Sequence, residues 1–463
     1  MAPLPQALPD YTPAIARARA AFEDGRTFDA NWRVRQLRGL VRLVDEQETA
    51  IVAALRDDLR KPRAEALTAE AWLVRSEASR TARALHRWMR PRRVALPPGL
   101  LPGLARVRPE PRGTALILGA WNYPFLLTLS PLVGALSAGC TAVVKPSELA
   151  PATAGLLVDL LPRYVDVDAV QVAQGDAAGA ARLLEHRFDV ILYTGGARVG
   201  RLVMAAAARH LTPVILELGG KSPALVHDGA DLGEAARRIA WGKCLNAGQT
   251  CTAPDYVLAP RGRLDAFVEA YRAALHAFHG SDAARSPDYG RILNDQHFGR
   301  LIGYLGEGRI VLGGRTDAMD RFIEPTVLVD IQPDARVMSE EIFGPILPLL
   351  PYDRWEDALA FVRAREKPLA AYAFARDGRA LDRAERSISA GGFCSNDVIL
   401  QQTAPGLPFG GVGASGLGAY HGRAGFDAFS HAKAVLRRPP RLDSGLRFPP
   451  LSESRLRWLR AFL

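Results

Sequence analysis

Short apolar runs alternate with longer amphipathic stretches between residues 114 and 220, and this alternation restricts the fold more than any other feature of the chain. The runs are rich in β-branched residues and too short for helices. They read "TALILGA", "TAVVKPS", "AVQVAQG", "DVILYTG" and "PVILELGG". Stretches with helical spacing separate them, such as "APATAGLLVDLLPRYV" and "ARVGRLVMAAAARH". Such alternation predicts a parallel sheet covered by helices, with ligands at the carboxyl ends of the strands.

A second alternating set predicts a second α/β domain over residues 218–402. Its strands are "SPALVHD", "DYVLAP", "FIEPTVLVDI" and "LAAYAFARD", with helices such as "WEDALAFVRARE" between them. Two domains also agree with the length of 463 residues, which exceeds what one hydrophobic core holds. Upstream, apolar residues at three- and four-residue steps predict a helix over residues 31–60. The proline-rich segment 91–112 is predicted to leave the first domain as an excursion.

The formal net charge of +10 raises the question of nucleic-acid binding. The positive charges are dispersed, and the sequence has neither a zinc-finger motif nor an aromatic-rich RNA-binding motif. We therefore expect no nucleic-acid partner. Only six of the 59 basic residues are lysines. A chain so biased toward arginine keeps a lysine where an ammonium group is specifically needed, and Lys145 is one such place.

The four cysteines are unevenly spaced, which indicates a reducing compartment and not a disulfide framework. Cys244 and Cys251 lack the spacing of a zinc site, and no nearby histidine completes a ligand set, so we expect no metal. No apolar run is long enough to span a bilayer. The start "MAPLPQALPD" has no secretory signal. We expect no integral membrane segment and a cytoplasmic location.

A glycine-rich turn in "YTGGARVG" is a candidate phosphate site, although the G-x-G-x-x-G fingerprint is absent. Gly195, Gly196 and Gly200 lie between a predicted strand and a predicted helix. Glycine permits a sharp turn and a close approach to a pyrophosphate, and a helix N-terminus favours the anion. Lys145 and Glu148 in "VVKPSE" end another strand, where they suit ribose hydroxyls. An ordinary turn and a solvated loop are the alternatives.

Two polar residues lie within or directly after apolar strands of the first domain. Glu217 in "LELGGKSP" is costly to bury unless it is paired or protonated. In a cleft, desolvation would raise its pKa and suit it to act as a general base, whereas at a sheet edge it would face water. Asn122 in "GAWNYPF" follows the first strand of the sheet. Its amide either donates to an oxyanion or belongs to an ordinary turn.

Two cysteines lie close together in "WGKCLNAGQTCTAPDYVLAP". Cys244 falls at the end of a predicted helix, where we expect it to pack as a small apolar side chain. Cys251 follows the small polar loop "NAGQT", where a thiol has room for a substrate. A nucleophilic thiolate needs such access together with a lowered pKa.

Seven motifs occur in a fixed order along the chain: "WNYP", "KPSE", "YTGGARVG", "LELGGKSP", "NAGQTC", "EEIFGP" and "LPFGGVGASG". With these motifs the chain resembles the aldehyde dehydrogenase superfamily, most closely its class-three branch. The resemblance extends from "RQLRGLVRLVDEQETAIVAALRDDLRKP" to the tail "RFPPLSESRLRWL". One departure is Gln174 in "VAQGD", where many relatives have a second glycine.

The resemblance implies an α/β fold with a Rossmann-like NAD(P)-binding domain, a second α/β catalytic domain and a small oligomerisation β-hairpin. In it, Cys251 resembles the nucleophile and Glu217 the base that activates the hydrolytic water. Asn122 and the backbone N–H of Cys251 resemble the oxyanion hole.

The same resemblance assigns the cofactor contacts, with NAD or NADP as the cofactor. Lys145 and Glu148 match the contacts to the adenosine ribose, and residues 195–200 match the pyrophosphate turn. Glu341 and Phe343 in "EEIFGP" match the contacts to the nicotinamide ribose. From the sequence alone, these two residues would be a loop acid and a packed aromatic.

The family also accounts for the proline-rich excursion. It resembles the oligomerisation hairpin, with "FSHAKAVLRR" as its partner strand, so a homodimer is implied. The expected division is an NAD(P)-binding domain at 1–92 and 113–217, a catalytic domain at 218–402, oligomerisation strands at 93–112 and 428–440, a glycine-rich returning segment at 403–427, and a C-terminal tail at 441–463.

The expected reaction is the oxidation of an aldehyde to a carboxylic acid. Tyr123, Trp241 and Thr250 lie beside catalytic positions and are candidates for an apolar substrate pocket, which suggests a medium-chain aliphatic or an aromatic aldehyde. Core packing is the alternative for Trp241. An acylating relative would pass the thioester to coenzyme A, and a silent scaffold or nucleic-acid binder would catalyse nothing.

Overall fold

The computed structural model describes residues 9–332, 334–440 and 448–462, and its centre is a six-stranded sheet. Five of its strands run parallel, and the sixth pairs antiparallel at one edge. In spatial order the strands are Gly416–Leu417, Val214–Leu218, Val190–Gly195, Thr114–Leu118, Thr141–Lys145 and Val170–Val172. All five strands predicted from the alternation are present. The two-residue edge strand comes from the glycine-rich returning segment, which the alternation did not include.

One helix of this first sheet is buried along its whole length. Leu126–Ala138 has 13 residues, and every one of them is buried. It packs between the sheet and two outer helices, Ala30–Leu59 and Trp72–Trp88. A helix that is apolar all round belongs in a core, which explains its lack of an exposed polar face. The outer helix Ala30–Leu59 confirms the helix predicted over residues 31–60.

The second sheet has seven strands and is parallel except at one edge, where the first two strands pair antiparallel. In spatial order they are Arg309–Leu312, Thr326–Val329, Ile346–Tyr352, Tyr256–Pro260, Pro223–Val226, Ala370–Phe374 and Gly392–Ser395. Two sequence readings need correction. "FIEPTVLVDI" forms two short strands because Pro325 separates them, and the proline-containing Ile346–Tyr352 was not among the predicted strands.

The proline-rich excursion forms a small antiparallel sheet. Arg92–Val94 and Leu104–Pro111 form a hairpin, and Ser430–Arg437 pairs with the second strand. Lys433 lies opposite Arg108 and its ammonium is 3.1 Å from Glu110. The pairing expected from the resemblance is therefore present. The domain boundaries drawn from the sequence stay a prediction.

The α-helices of the described residues cover the sheets and connect their strands. They are Thr12–Glu23, Ala30–Leu59, Arg63–Ala66, Trp72–Trp88, Leu126–Ala138, Pro151–Tyr164, Ala177–Leu183, Ala197–Ala208, Leu232–Cys244, Leu264–His279, Asp295–Tyr304, Arg336–Ser339, Trp355–Arg363, Gly378–Ser387, Gly422–Ala428 and Glu453–Phe462. A further two-stranded ribbon joins Thr316–Asp317 to Phe322–Ile323. Within the described ranges, no helix has the length and apolar character needed to cross a membrane.

Candidate active site

The loop that carries Cys251 follows the helix Leu232–Cys244 and contains two non-glycine residues with positive φ. Asn246 has φ 53° and Ala247 has φ 52°. Such a backbone is strained and persists only where its surroundings hold it. The Gln249 amide does so: its nitrogen donates to the Asn246 carbonyl at 2.9 Å, and its oxygen accepts from the Leu293 N–H at 2.9 Å. The loop is thus a rigid platform for the thiol.

Cys251 is partly accessible and borders a cavity, as a nucleophile requires. Its thiol lies near the carboxyl group of Glu217. The lowered pKa expected for a nucleophile is wrong for this state of the protein. Burial, followed by the nearby carboxyl groups of Glu217 and Glu341, raises the pKa of Cys251 well above its usual value. The thiol therefore rests in its neutral form and needs a base.

Glu217 lies in the strand Val214–Leu218 and is 1 % exposed. The alternative of a water-facing acid at a sheet edge is therefore excluded. Burial raises the pKa of Glu217 to about 7, and the nearby Cys251 thiol opposes that rise. One carboxylate oxygen, Oε1, is buried and has no hydrogen-bond partner among the described residues. A carboxyl group near half-ionisation at neutral pH, with a free oxygen beside a thiol, is suited to take up a proton.

Asn122 lies in the turn after the strand Thr114–Leu118 and is buried. Its side-chain nitrogen donates to the Gln249 carbonyl at 3.1 Å, two residues before Cys251. Its backbone carbonyl accepts from Asn246 Nδ2 at 2.8 Å. The amide donor is thus held against the loop of the thiol. The backbone N–H of Cys251 is the second candidate donor and lowers the pKa of its own thiol.

A buried ion pair supports the Asn122 turn, and the sequence reasoning missed it. Lys61 and Glu70 are fully buried and joined to each other. Lys61 also donates to the Asn122 carbonyl at 2.9 Å, while Glu70 accepts from the N–H groups of Phe125 and Leu126 at 3.0 and 3.1 Å. The scarcity of lysine was the available signal. The same scarcity marks Lys61 as well as Lys145.

The glycine-rich turn fits a pyrophosphate. Gly196 is the N-cap of the helix Ala197–Ala208, and no side chain caps its N-terminal N–H groups. A Cβ on Gly196 would meet no atom within 4 Å, so the space beside this turn is open. Gly195 has φ +155°, and a Cβ there would lie 2.3 Å from the Tyr193 hydroxyl. A Cβ on Gly200 would lie 2.8 Å from Leu218, so this glycine allows the helix to pack on the sheet.

The other cofactor candidates lie on both sides of this turn. Lys145 ends the strand Thr141–Lys145, is buried, and contacts the Glu148 carboxylate at 2.8 Å. Burial, then Asp255 and Glu217, raises the pKa of Glu341 to about 8. Its Oε1 has no partner in the described part of the chain. An orphaned carboxyl oxygen at this point fits a ribose hydroxyl.

Phe343 brings the "EEIFGP" motif next to the "WNYP" motif. Its ring meets that of Trp121 edge-on, with centroids 5.2 Å apart. The backbone of Phe343 has φ 52°. Together with Glu341, this contact places the motif beside Asn122 and Glu217, although more than a hundred residues separate it from either in the chain.

A cavity of about 540 Å³ lies in front of Cys251. The three predicted pocket residues all line it: Tyr123, Trp241 and Thr250. Tyr123 and Thr250 are buried and their hydroxyl groups are 2.6 Å apart. Core packing is excluded for Trp241, which is 38 % exposed. Cys244 is buried at the end of its helix, as expected. Over the described ranges no group of three or more His, Cys, Asp or Glu residues could hold a metal ion.

Comparison with known proteins agrees with this geometry. Residues 6–435 match the aldehyde dehydrogenase family. The human aldehyde dehydrogenase family 3 member B1 is 46 % identical over 449 residues, which cover 96 % of each chain.

Two solved structures extend the likeness to the fold. The substrate-bound AldH of Staphylococcus aureus has a TM-score of 0.95 and 39 % identity, and the match covers 98 % of this chain and 99 % of that one. The aldehyde dehydrogenase of Mycobacterium tuberculosis complexed with NAD+ has a TM-score of 0.84 and 30 % identity, with 92 % and 90 % covered. The chain therefore belongs to the aldehyde dehydrogenase family, as an NAD(P)-dependent aldehyde dehydrogenase.

Proposed function

We propose that this enzyme oxidises an aldehyde to a carboxylic acid through a thioester on Cys251, which water activated by Glu217 then hydrolyses. The observation that carries the proposal is the position of the buried Glu217 carboxyl group, whose Oε1 has no partner among the described residues, near the Cys251 thiol at the cavity, with the Asn122 amide held against the same loop. A thiol, a base and an oxyanion donor are the three groups that this chemistry needs.

The first step is activation of the thiol. The pKa of Cys251 is raised and that of Glu217 is about 7, so the thiol proton passes to the carboxylate as the sulfur attacks the aldehyde carbon. The negative charge that develops on the former aldehyde oxygen accepts hydrogen bonds from Asn122 Nδ2 and the N–H of Cys251. Donors that are already held in place stabilise this charge more than they stabilise the neutral aldehyde, and the barrier falls.

Three groups of residues would hold the cofactor. The open glycine turn would take the pyrophosphate, Lys145 with Glu148 the adenosine ribose, and Glu341 the nicotinamide ribose. The relative from M. tuberculosis was solved with NAD+, which supports the same cofactor class here. NAD or NADP, when bound, accepts the hydrogen and electron pair released by the substrate carbon. Glu148 is an acid beside the proposed ribose contact and disfavours an additional phosphate group there.

The second step is hydrolysis of the thioester. Glu217 first releases the thiol proton to solvent and so returns to its ionised form. It then takes a proton from water, the resulting hydroxide attacks the thioester carbon, and the carbon–sulfur bond breaks to release the acid and the Cys251 thiolate, which is reprotonated. Asn122 holds the oxyanion a second time. The presence of this base argues against transfer to coenzyme A, which needs no activated water.

The substrate class follows from the cavity. Leu73, Leu126, Leu127 and Trp241 give it apolar walls. Medium-chain aliphatic and aromatic aldehydes match such walls because their burial is favourable by roughly 25 cal/mol per Å² of apolar area.

The test measures reduced-cofactor formation with a panel of aliphatic and aromatic aldehydes, with NAD and NADP run in parallel. Cys251→Ala should abolish turnover. Glu217→Gln should lose steady-state turnover but keep a burst of reduced cofactor, because only deacylation is blocked. Unchanged turnover of Glu217→Gln would remove that residue from the base role. An acyl-coenzyme A product, formed only when coenzyme A is added, would favour the acylating alternative.

We also propose a homodimer and a cytoplasmic location. The strands at 93–112 and 428–440 support the first, since they form a sheet that stands apart from the two larger sheets. All four cysteines are free, which supports a reducing compartment. Sedimentation of the purified protein tests the dimer.

A further inference from the structure

A second cavity, of about 920 Å³, continues outward from the catalytic cavity. The two cavities share five lining residues: Leu73, Leu126, Gln402, Thr403 and His421. The two cavities therefore adjoin, and a chain that fills the catalytic cavity points toward the second one at these residues. We call this second cavity the arginine groove because of the three side chains described next.

Arg80, Arg83 and Arg87 line the groove from the helix Trp72–Trp88. Their spacing of three and four residues puts them on one helix face. All three are exposed. Within the described part of the chain, none of their guanidinium groups takes part in an ion pair or a hydrogen bond. Three unpaired guanidinium groups on one wall make a site for an anion.

The other charged groups of the groove do not neutralise these arginines. Glu77 accepts from two neutral donors, the Ser130 hydroxyl and the Gly422 N–H at 3.0 Å, and its single negative charge is outnumbered by the three arginines. Arg423 is paired with Asp427 at 2.8 Å. The free charge in the groove is therefore positive.

The inner cavity has no lysine or arginine in its lining, and burial raises the pKa of Glu65 there to about 7. Glu65 and Asp288 line it, and both are acids. An anion close to the aldehyde would lie near these carboxyl groups, whereas an anion at the far end of a longer chain would reach the arginines. The two regions thus distinguish anionic substrates by length.

We propose that the arginine groove binds a carboxylate at the far end of the substrate, so that an aliphatic aldehyde long enough to reach the groove is preferred when it ends in a carboxylate over an uncharged aldehyde of the same length. This inference rests on the proposed function and specifies its substrate class. Arg80, Arg83 and Arg87 are then specificity-determining residues: they contact the far end of the substrate and take no part in the chemistry at Cys251.

Two other occupants fit the groove less well. The C-terminal helix Glu453–Phe462 carries three arginines, so its charge has the same sign as the groove, and it packs against the turn Pro98–Leu100 instead. An anionic membrane surface matches the charge, but the aligned arginines line a concave channel that leads to Cys251.

The experiment compares kcat/KM for aldehydes with a terminal carboxylate and for their methyl esters, over a series of increasing chain length. The ester has nearly the same shape without the charge. The kcat/KM of the carboxylate aldehyde divided by that of its methyl ester should be below one for short chains. This ratio should rise to about ten for chains that reach the groove. The triple variant Arg80→Gln, Arg83→Gln and Arg87→Gln should lose the rise and keep turnover of the esters. Arg83→Gln alone should lose part of it.

A matched control removes three exposed arginines elsewhere, Arg17, Arg35 and Arg38, each replaced by Gln. It lowers the net charge by the same amount and should keep the long-chain rise. A ratio that does not depend on chain length, or an equal loss in both triple variants, would overturn the inference in favour of general attraction by net charge. A groove effect seen only with anionic phospholipid vesicles present would overturn it in favour of a membrane surface. Ester turnover reports on the proposed function separately.

Discussion

The ammonium group of Lys61 donates a hydrogen bond of 2.9 Å to the backbone carbonyl of Asn122, from within a fully buried ion pair with Glu70. Lys61 also lies 4.1 Å from the centroid of the Tyr123 ring, the next residue of the same turn. The charges therefore hold the backbone from which the proposed oxyanion donor projects. Neither Lys61 nor Glu70 lines the cavity in front of Cys251, so we regard both as positioning residues.

Lys61→Met should destabilise the protein by about 3–5 kcal/mol, because it leaves the Glu70 carboxylate buried without its counter-charge. Adding Glu70→Gln removes that charge and keeps an acceptor for the Phe125 and Leu126 N–H groups, so the double variant should regain most of the stability. In both variants the Asn122 carbonyl lacks the hydrogen bond from Lys61, so the proposed oxyanion donor is less well placed. We therefore expect kcat to be low in the single and in the double variant, with little change in KM. Thermal unfolding and steady-state kinetics measure the two effects. Recovery of kcat together with stability would show that the pair acts on folding alone.

The sequence predicts those features that are local in the chain. The alternation of strands and helices predicts all five parallel strands of the first sheet, and the long helix Ala30–Leu59 follows from its apolar spacing. The Lys61–Glu70 pair does not follow in this way. The Asn122 turn that they hold is 61 residues from Lys61, and no local pattern around either residue indicates that contact. A buried charge is recognisable only through its partners, which the fold brings from elsewhere.

The resting state of the thiol is a second feature that the sequence could not provide. A loop of small residues indicates access for Cys251, but its pKa depends on Glu217 and Glu341, which come from two other segments.

The strand Ile346–Tyr352 is a third feature that the sequence does not predict. Pro348 and Pro351 weaken its pattern locally, whereas its burial between two neighbouring strands stabilises it in the fold.

Turnover should rise with pH through about 7, since Glu217 acts as a base only when it is ionised and burial raises its pKa to about 7. Glu217→Gln should lack this acidic limb in its residual activity. The same group also makes stability depend on pH. The pKa of Glu217 in the folded protein is about 7, above its ordinary value of 4.5, so the stability contributed by its protonated form is lost as pH rises through about 7. Glu217→Gln stays neutral and should exceed the wild type in unfolding free energy above that pH, by about 3 kcal/mol. Unfolding at pH 5 and pH 9 measures this difference, and equal stabilities at both values would contradict it.

The two glycines of the pyrophosphate turn should respond differently to the same substitution. Gly195→Ala introduces a Cβ 2.3 Å from the Tyr193 hydroxyl at a positive φ, so the protein without cofactor should lose about 1–3 kcal/mol of stability. Gly196→Ala meets no protein atom within 4 Å and should leave that stability unchanged. Its added methyl group occupies the space proposed for the pyrophosphate, so the KM for NAD should rise. Thermal unfolding and cofactor titration give both values, and an unaltered KM in Gly196→Ala would place the pyrophosphate elsewhere.

Glu148→Gln should shift the cofactor preference toward NADP. The carboxylate of Glu148 is 39 % exposed and lies 2.8 Å from the buried Lys145 ammonium. Neutralising it removes repulsion of a 2′-phosphate and leaves Lys145 free to attract that phosphate. Because the acid is partly solvated, the expected gain in the NADP to NAD ratio of kcat/KM is about three- to tenfold. Glu185→Gln is the matched control, since Glu185 is a 60 % exposed acid paired with Arg182 outside this site. An equal change in both variants would mean that net charge sets the preference, and that Glu148 has no specific contact with the ribose.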